Sequence, residues 1–291
     1  MIYRPPFESR SLLLEVTKGC SHNGCTFCTM YRGEPFRVMP MSEIEDALKE
    51  AQLYRPGTRR VFLENGDPFC LDTGKLIDIA QLIRRYLPET DTITMYASIL
   101  NIQGKSNEEL RALRAQGINE LNIGVESGLD EALDHLGKGY TAQEAAEELG
   151  RLEAAGIDYS ANVILGAGGR EKRRENARTT ADLMNRTSPY LIFIGTLHPG
   201  PGCQLFDEIR SGAFHENTIG EYIEEEELFL SELTVYGSYI FGWHPSNIVP
   251  MSGLLGRDRP RMLSEIQKKR KELEQYLHKV PERGIEGAVR L

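Results

Sequence analysis

The chain has 291 residues, 40% hydrophobic and 26% charged, with a net charge of −9. This is an ordinary globular composition with ample material for a core, and its acidic balance disfavours a broad polyanion-binding surface. No apolar run approaches the roughly 18 residues of a membrane span, and no basic segment followed by an apolar run marks a secretory signal, so the expectation is a cytoplasmic protein without membrane attachment.

In chain order, strands alternate with helices. Residues 11–17 read as a strand, followed directly by a cysteine-bearing loop. A helix starts at Ser42, with Glu45 three residues on as a capping box and Ile44, Ala47, Leu48 and Ala51 keeping the helical period. Then come a strand at 60–64, a helix over 72–86 stopped by Pro88, a strand at 92–98 and a helix over 107–115 ended by Gly117. A strand at 120–125 precedes helices near 129–136 and 141–155; a strand at 157–165 precedes a helix over roughly 172–186; a strand at 190–195 leads into a short helix. Six βα units in succession predict a parallel sheet with right-handed crossovers. Near residue 215 the alternation stops. Beyond it a helix over 219–232 carries Glu224–Glu227 as a solvated acidic face, followed by an irregular aromatic stretch over 236–244 and a basic helix containing Lys268–Lys271.

One face of these strands is repeatedly polar. Leu12, Leu14 and Val16 alternate with Leu13, Glu15 and Thr17; Ile93, Met95 and Ala97 with Thr92, Thr94, Tyr96 and Ser98; Leu121, Ile123 and Val125 with Asn122, Gly124 and Glu126; Tyr159, Ala161 and Val163 with Ser160, Asn162 and Ile164. A parallel barrel with a packed lumen is apolar on both strand faces. Burying so many polar groups without partners costs about 2 kcal/mol or more each, which a ligand-filled lumen avoids. Six strands leave such a barrel open along one side.

Three of the five cysteines fall within nine residues, as Cys20-x4-Cys25-x2-Cys28, and the other two, Cys70 and Cys203, lie far off in sequence. An odd, clustered set speaks against a disulfide framework and fits a reducing compartment. Thiolates select zinc, copper(I) or an iron–sulfur cluster. Zinc would take His22 as a fourth ligand; an iron–sulfur cube would leave one iron open for chemistry. The other strand ends carry Glu64-Asn-Gly-Asp-Pro68, Glu126-Ser-Gly128, Gly166-Ala-Gly-Gly169 and Thr196-Leu-His-Pro199, and strand carboxyl ends are where parallel α/β folds bind ligands.

From about residue 10 to residue 212 the chain resembles a radical S-adenosylmethionine (radical SAM) enzyme. The resemblance implies an α/β fold, a partial (β/α)6 TIM-like barrel over residues 1–215, with a mainly helical C-terminal extension over 216–291 capping it. It implies a [4Fe–4S] cluster held by Cys20, Cys25 and Cys28, and S-adenosylmethionine beside it. Phe27, before the last cysteine, would pack near the adenine, and Asn65, Gly66 and Asp67 would meet the methionine amino group. Ile123-Gly-Val-Glu-Ser-Gly128, followed by Leu136-Gly-Lys-Gly139, is similar to a pattern shared by many members and implies Glu126 and Ser127 near the ribose or carboxylate. Asn162-Val-Ile-Leu-Gly166 resembles the fifth-strand motif, which adds Ser160, Asn162 and Gly166; Gly195–Gly202 resembles the adenine site, which adds Leu197 and His198. The commonest family spacing is C-x3-C-x2-C, so this loop has one extra residue in its first gap.

The implied activity is reductive cleavage of S-adenosylmethionine, in the usual outcome to a 5′-deoxyadenosyl radical, acting on a small molecule with a low-potential donor such as flavodoxin or ferredoxin. No second cysteine cluster, cobalamin-binding region or appended RNA-binding barrel is expected. Cys203 is a candidate hydrogen-atom donor, or an apolar packing residue like Cys70. The aromatic stretch covers the open side and contacts substrate, or packs structurally; Tyr31, Arg32 and Arg37 bind an acidic substrate or pair with carboxylates. In oxygen-independent coproporphyrinogen oxidase a further cysteine follows the third cluster ligand by two residues; here that position is Met30, which speaks against transferring that activity. Two other readings stand beside the small-molecule enzyme. A nucleic-acid- or tRNA-modifying radical enzyme would need a concentrated basic patch, and a non-catalytic module would hold zinc with Cys20, His22, Cys25 and Cys28.

Overall fold

Short runs rich in β-branched and aromatic residues, each closed by a helix stop, set the order of elements. The computed structural model describes residues 4–283 and 289–290. Eight strands matter here: β1 (Leu12–Glu15), β2 (Arg60–Glu64), β3 (Thr92–Ala97), β4 (Ile118–Glu126), β5 (Asp158–Leu165), β6 (Leu191–Thr196), β7 (Tyr239–Phe241) and β8 (Ser252–Leu254). The helices are α1 (Met41–Tyr54), α2 (Thr73–Tyr86), α3 (Ile99–Gln103), α4 (Asn107–Ala115), α5 (Asp130–His135), α6 (Ala142–Ala155), α7 (Gly169–Asn185), α8 (Gln204–Ser211), α9 (Ile219–Glu232) and α10 (Arg259–Glu272). By their contacts the residues form two compact units, one of Met1–Asn23, Met30–Gly124 and Glu148–Tyr159, the other of Gly24–Thr29, Val125–Glu147 and Ser160–Leu291.

In the first unit β1 pairs in parallel with β2, and β2 with β3. β3 pairs with β4 through a register shift between Ile93 and Thr94. The apolar set is largely buried, as expected: Ile93, Met95, Leu121 and Ile123 are at most 1% exposed, while Leu12 of β1 is half-buried. The polar set is more divided than the alternation suggested. Thr94 and Asn122 are fully buried, and Asn122 Nδ2 donates to Thr94 Oγ1 at 3.0 Å. That part of the polar face satisfies itself, while Tyr96 and Gly124 stay half-buried. At the amino ends of the strands, Arg60 of β2 donates to Glu8 (Nε to Oε2, 2.9 Å) and to Glu120 of β4 (Nη1 to Oε2, 2.9 Å).

The helix starts follow local chemistry, with one correction. Asp72 caps α2 by accepting from Lys75 N at 2.8 Å, and Ser98 with Asn101 and Ser106 with Glu109 form capping boxes for α3 and α4. The capping box predicted at Ser42 and Glu45 does not form. Pro40 starts α1 one residue earlier, at Met41, so Ser42 lies inside the first turn, and Glu45 instead accepts from Tyr86 Oη at 2.5 Å.

In the second unit β5 pairs in parallel with β6, β6 with β7, and β7 antiparallel with β8. The alternation therefore does not stop near residue 215: α9 leads into one more parallel strand, within the stretch read as irregular. Glu224–Glu227 is not a solvated face either. Glu225 is fully buried and Glu226 is 2% exposed, while Glu224 accepts from Arg173 Nε at 2.9 Å and Glu227 from Arg270 Nη2 at 3.3 Å. The cations of α7 and α10 take up the outer two carboxylates, and the helix turns the inner two into the core. Lys268, by contrast, is solvated, with a side chain 79% exposed.

Candidate active site

The cysteine loop follows β1 and the short extended pair Thr17–Lys18, and in the first unit its start is fastened to the carboxyl end of β2. Gly66 N donates to Gly19 O at 3.0 Å. A Cβ on Gly66 would stand 2.5 Å from Cys20 Cβ and 2.8 Å from Cys20 Cα, so only glycine lets the loop come this close. The Asp67 carboxylate accepts from Ser21 N at 2.8 Å and from Ser21 Oγ at 2.5 Å. Asn65, at φ +81°, donates to Thr17 O at 2.6 Å. The side chains of Asn65 and Asp67 thus hold the loop. Cys70 lies close to the same group: burial, then Asp67, push its thiol up to about 11. His22 is exposed, and Arg37 pairs with Glu34 at 3.6 Å, in line with a carboxylate-pairing role.

The rest of the loop is built into the second unit. Thr26 N donates to Leu136 O at 3.1 Å, Thr26 Oγ1 donates to His135 O at 2.8 Å, and Leu205 N donates to Thr26 O at 3.0 Å. Gly137, at φ +70°, leaves room for Gly24 O, which would be 2.9 Å from a Cβ. Cys28 N donates to Cys25 O at 3.3 Å, which closes a tight turn between the two thiols. Phe27 packs against a buried apolar cluster that includes Leu136, Ala167, Leu197 and Cys203. Cys203 is 1% exposed, and its thiol donates to Gly200 O at 3.2 Å. Leu197 N donates to Leu165 O at 2.9 Å, and His198 beside it is half-buried.

Glu126 ends β4 at φ +67°, an uncommon conformation for a residue with a Cβ. Its Oε1 accepts from Lys138 Nζ at 3.0 Å, and both side chains are buried. Burial alone would lower the Lys138 ammonium, but the Glu126 carboxylate, with Tyr140 and Cys25, holds it above its ordinary value. Burial likewise raises Cys25, and Lys138 acts against that rise. Ser127 is fully buried: its hydroxyl bonds Asn176 Oδ1 at 2.5 Å and accepts from Leu129 N at 2.9 Å. It sets the turn after β4. On β5, Ser160 is fully buried and Asn162 half-buried. Gly166, at φ +86°, donates its N–H to Glu225 Oε2 at 3.0 Å, and Tyr222 fills the place a Cβ would take.

Among the described residues, Asn23, Asn65 and Glu126 are the three non-glycine residues with positive φ, and all three stand in segments singled out as cofactor-binding. Strained backbone of this kind gathers at functional sites. Sequence reasoning quoted Lys138 within Leu136-Gly-Lys-Gly139 but gave it no role, although glycines with positive φ on either side of it, Gly137 and Gly139, mark a fixed turn. It missed Asn176, a polar residue inside α7 that is 2% exposed. Cys20, Cys25 and Cys28 are free thiols, none fully buried, and thiolates are the donors that an iron–sulfur centre takes. Among the described residues no group of three His, Cys, Asp or Glu side chains is spaced to hold a metal ion.

The family model of the radical SAM superfamily matches residues 14–183. The heme chaperone HemW of Bacillus subtilis (strain 168) is 23% identical over 226 residues, covering 75% of this chain and 58% of that protein. A tRNA-2-methylthio-N(6)-dimethylallyladenosine synthase of Coxiella burnetii (strain Dugway 5J108-111) is 28% identical over 221 residues, covering 71% of this chain and 48% of that one. The chain thus spans about half the length of these curated relatives. Among solved structures, methylornithine synthase (PylB) aligns at a TM-score of 0.56 with 18% identity, covering 88% of this chain and 68% of that one. The FeFe-hydrogenase maturase HydG from Carboxydothermus hydrogenoformans aligns at 0.55 with 14% identity, covering 88% and 56%. These likenesses show the fold class, α/β of the partial-barrel kind.

Proposed function

The chain belongs to the radical SAM superfamily, and on that premise we propose that it reductively cleaves S-adenosylmethionine to start a radical transformation of a small molecule. The family's cofactors are a [4Fe–4S] cluster and S-adenosylmethionine, and the chain is an enzyme. Family membership removes the non-catalytic zinc module. Among the described residues, no helix is long and apolar enough to cross a membrane.

The observation that carries the proposal is the placement of strained backbone: Asn23, Asn65 and Glu126 take positive φ in the cysteine loop and at the ends of β2 and β4. Cys20, Cys25 and Cys28 would hold the cluster, which when bound supplies the electron that breaks a sulfonium C–S bond. The chain's own residues bind and orient. Gly66 and Asp67 fix the start of the loop, and Thr26 fixes its end. Lys138 and Glu126 put a buried ion pair in the field of Cys25. Phe27, Leu197, His198 and Asn162 would face the nucleoside, with Ser127, Ser160 and Gly166 shaping the backbone behind it. Cys203 would pack. The electron donor would be a low-potential protein of the flavodoxin or ferredoxin kind, and α9 and α10 would cover the sheet of the second unit. A tRNA substrate is the second reading, supported by the tRNA-modifying relatives.

The test is anaerobic reconstitution with iron and sulfide, followed by reduction and incubation with S-adenosylmethionine. About four irons per chain and formation of 5′-deoxyadenosine that is lost in the Cys20→Ala/Cys25→Ala/Cys28→Ala variant support the proposal. A reconstituted protein that holds its cluster yet leaves S-adenosylmethionine intact sinks it. Assays with unfractionated tRNA as the added substrate separate the second reading.

A further inference from the structure

Three strands of the second unit carry one row of side chains on one face. Asn162 of β5 is in register with Phe193 of β6, and Phe193 with Phe241 of β7. Ile192, Ile194 and Ile240 point the other way and are fully buried, whereas Asn162, Phe193 and Phe241 are half-buried. The two phenyl rings lie side by side, with centroids 5.8 Å apart and planes 15° apart. Two residues along β6 on the same face comes Gly195, where a Cβ would reach within 3.9 Å of the Phe193 ring. Gly195 itself puts no side chain over that ring.

His244 closes the row. Its ring stands edge-on to Phe193 at 5.8 Å and 73°. Ser246 N donates to His244 Nδ1 at 3.2 Å, and Ser246 Oγ lies 2.7 Å from the same nitrogen. A backbone N–H can only donate, so Nδ1 is the acceptor and the neutral ring carries its proton on Nε2. Burial favours that neutral form. The turn is tied to the end of β6: Asn247 Nδ2 donates to Ile194 O and Gly242 O, each at 2.8 Å, and Thr196 Oγ1 donates to Asn247 Oδ1 at 2.9 Å. These ties fix the imidazole in position.

We infer that Phe193, Phe241 and His244 form the substrate wall, and that they receive a neutral, flat heteroaromatic ring of a small molecule with His244 Nε2–H donating to its ring acceptor. The inference deepens the proposed radical chemistry and rests on it. Flat apolar rings stack offset or edge-on against phenyl groups. A half-buried N–H donor disfavours a ligand that leaves it unmatched. The row itself carries no charge to match that of a phosphate or a carboxylate. Its place next to Asn162 would bring the ring beside the nucleoside.

The test uses the reconstituted holoenzyme, unreduced and saturated with S-adenosylmethionine, titrated by ligand-observed NMR. The probes are quinoline, naphthalene (the same shape without an acceptor) and benzoate. Quinoline should bind about five- to tenfold tighter than naphthalene, the worth of one net hydrogen bond, and benzoate weakest. His244→Phe should abolish the quinoline preference while keeping naphthalene binding, and Phe193→Ser should weaken both about tenfold. Equal binding of quinoline and naphthalene, or a preference that survives His244→Phe, overturns the wall. Displacement of quinoline by unfractionated tRNA but not by free nucleosides or aromatic amino acids overturns the small-molecule assignment. Cofactor cleavage, measured in parallel on the same sample, separates failure of the wall from failure of the radical reading.

Discussion

The ammonium of Lys138 donates to Oε1 of Glu126 at 3.0 Å, with both side chains buried and the carboxylate carried on a strand end held at positive φ. Removing one partner of such a pair leaves an uncompensated buried charge. Lys138→Met should therefore cost about 3–5 kcal/mol of stability, and Glu126→Gln/Lys138→Met should recover part of that loss. Chemical denaturation of the two single variants and the double variant checks this. Additive effects would mean that the two groups do not interact across the cycle.

A methyl group at position 66 has no room, since Cys20 occupies the place of its Cβ. Gly66→Ala should displace the start of the cysteine loop and lower iron incorporation severalfold, with the far-ultraviolet circular dichroism spectrum unchanged. Gly150, inside α6, has nothing within 4 Å of an added Cβ. Gly150→Ala should leave iron incorporation unchanged and add about 0.5–1 kcal/mol of stability. Equal iron content in the two variants would remove the close approach from the account.

Burial raises the Glu225 carboxyl from its ordinary 4.5 to about 7, despite the donors Asn176, Gly166 N and Asn217 around it. Burial and Glu225 raise Glu226 as well. A raised acid holds its proton in the folded chain at a pH where the unfolded chain releases it. Stability is therefore full below about pH 4.5 and declines as pH rises through about 7, by about 3 kcal/mol for Glu225. The thermal midpoint should fall between pH 5 and pH 8. In Glu225→Gln/Glu226→Gln the profile should be flat over that range, with a lower midpoint at pH 5 because an amide N–H then faces other donors. A wild-type midpoint that rises with pH over this range would refute the assignment.

Arg60 joins Glu8 and Glu120 at the amino ends of the strands, away from the carboxyl ends where the candidate site lies. Arg60→Met should cost about 3–5 kcal/mol, because Glu8 is fully buried, and leave S-adenosylmethionine affinity per folded molecule unchanged. Calorimetric titration alongside thermal unfolding reads both quantities. An affinity that drops with the stability would place this triad in the site's support.

Much of the fold was legible because its signals are local. Apolar alternation over four to eight residues marks a strand, and a glycine or proline a few residues on marks the helix stop. The helix read over 107–115 and ended by Gly117 is α4. The three clustered thiols and the glycine at position 66 are likewise visible in one short window. Strand β7 escaped notice because its three residues, Tyr239–Phe241, are too few to show a period.

The sequence by itself determined the order of strands and helices through β6, the cysteine loop and the segments at the strand ends. Each of these depends on side-chain period and turn chemistry within a few residues. Tertiary structure alone decided that Glu225 and Glu226 lie inside, that Lys138 faces Glu126, and that Phe193 stands in register with both Asn162 and Phe241. A run of four glutamates reads as solvated until the arginines of α7 and the amides of Asn176 and Asn217 are placed around it. Those partners lie up to some fifty residues away along the chain. Burial and register are set by which distant segments pair, and spacing within one segment carries no record of that.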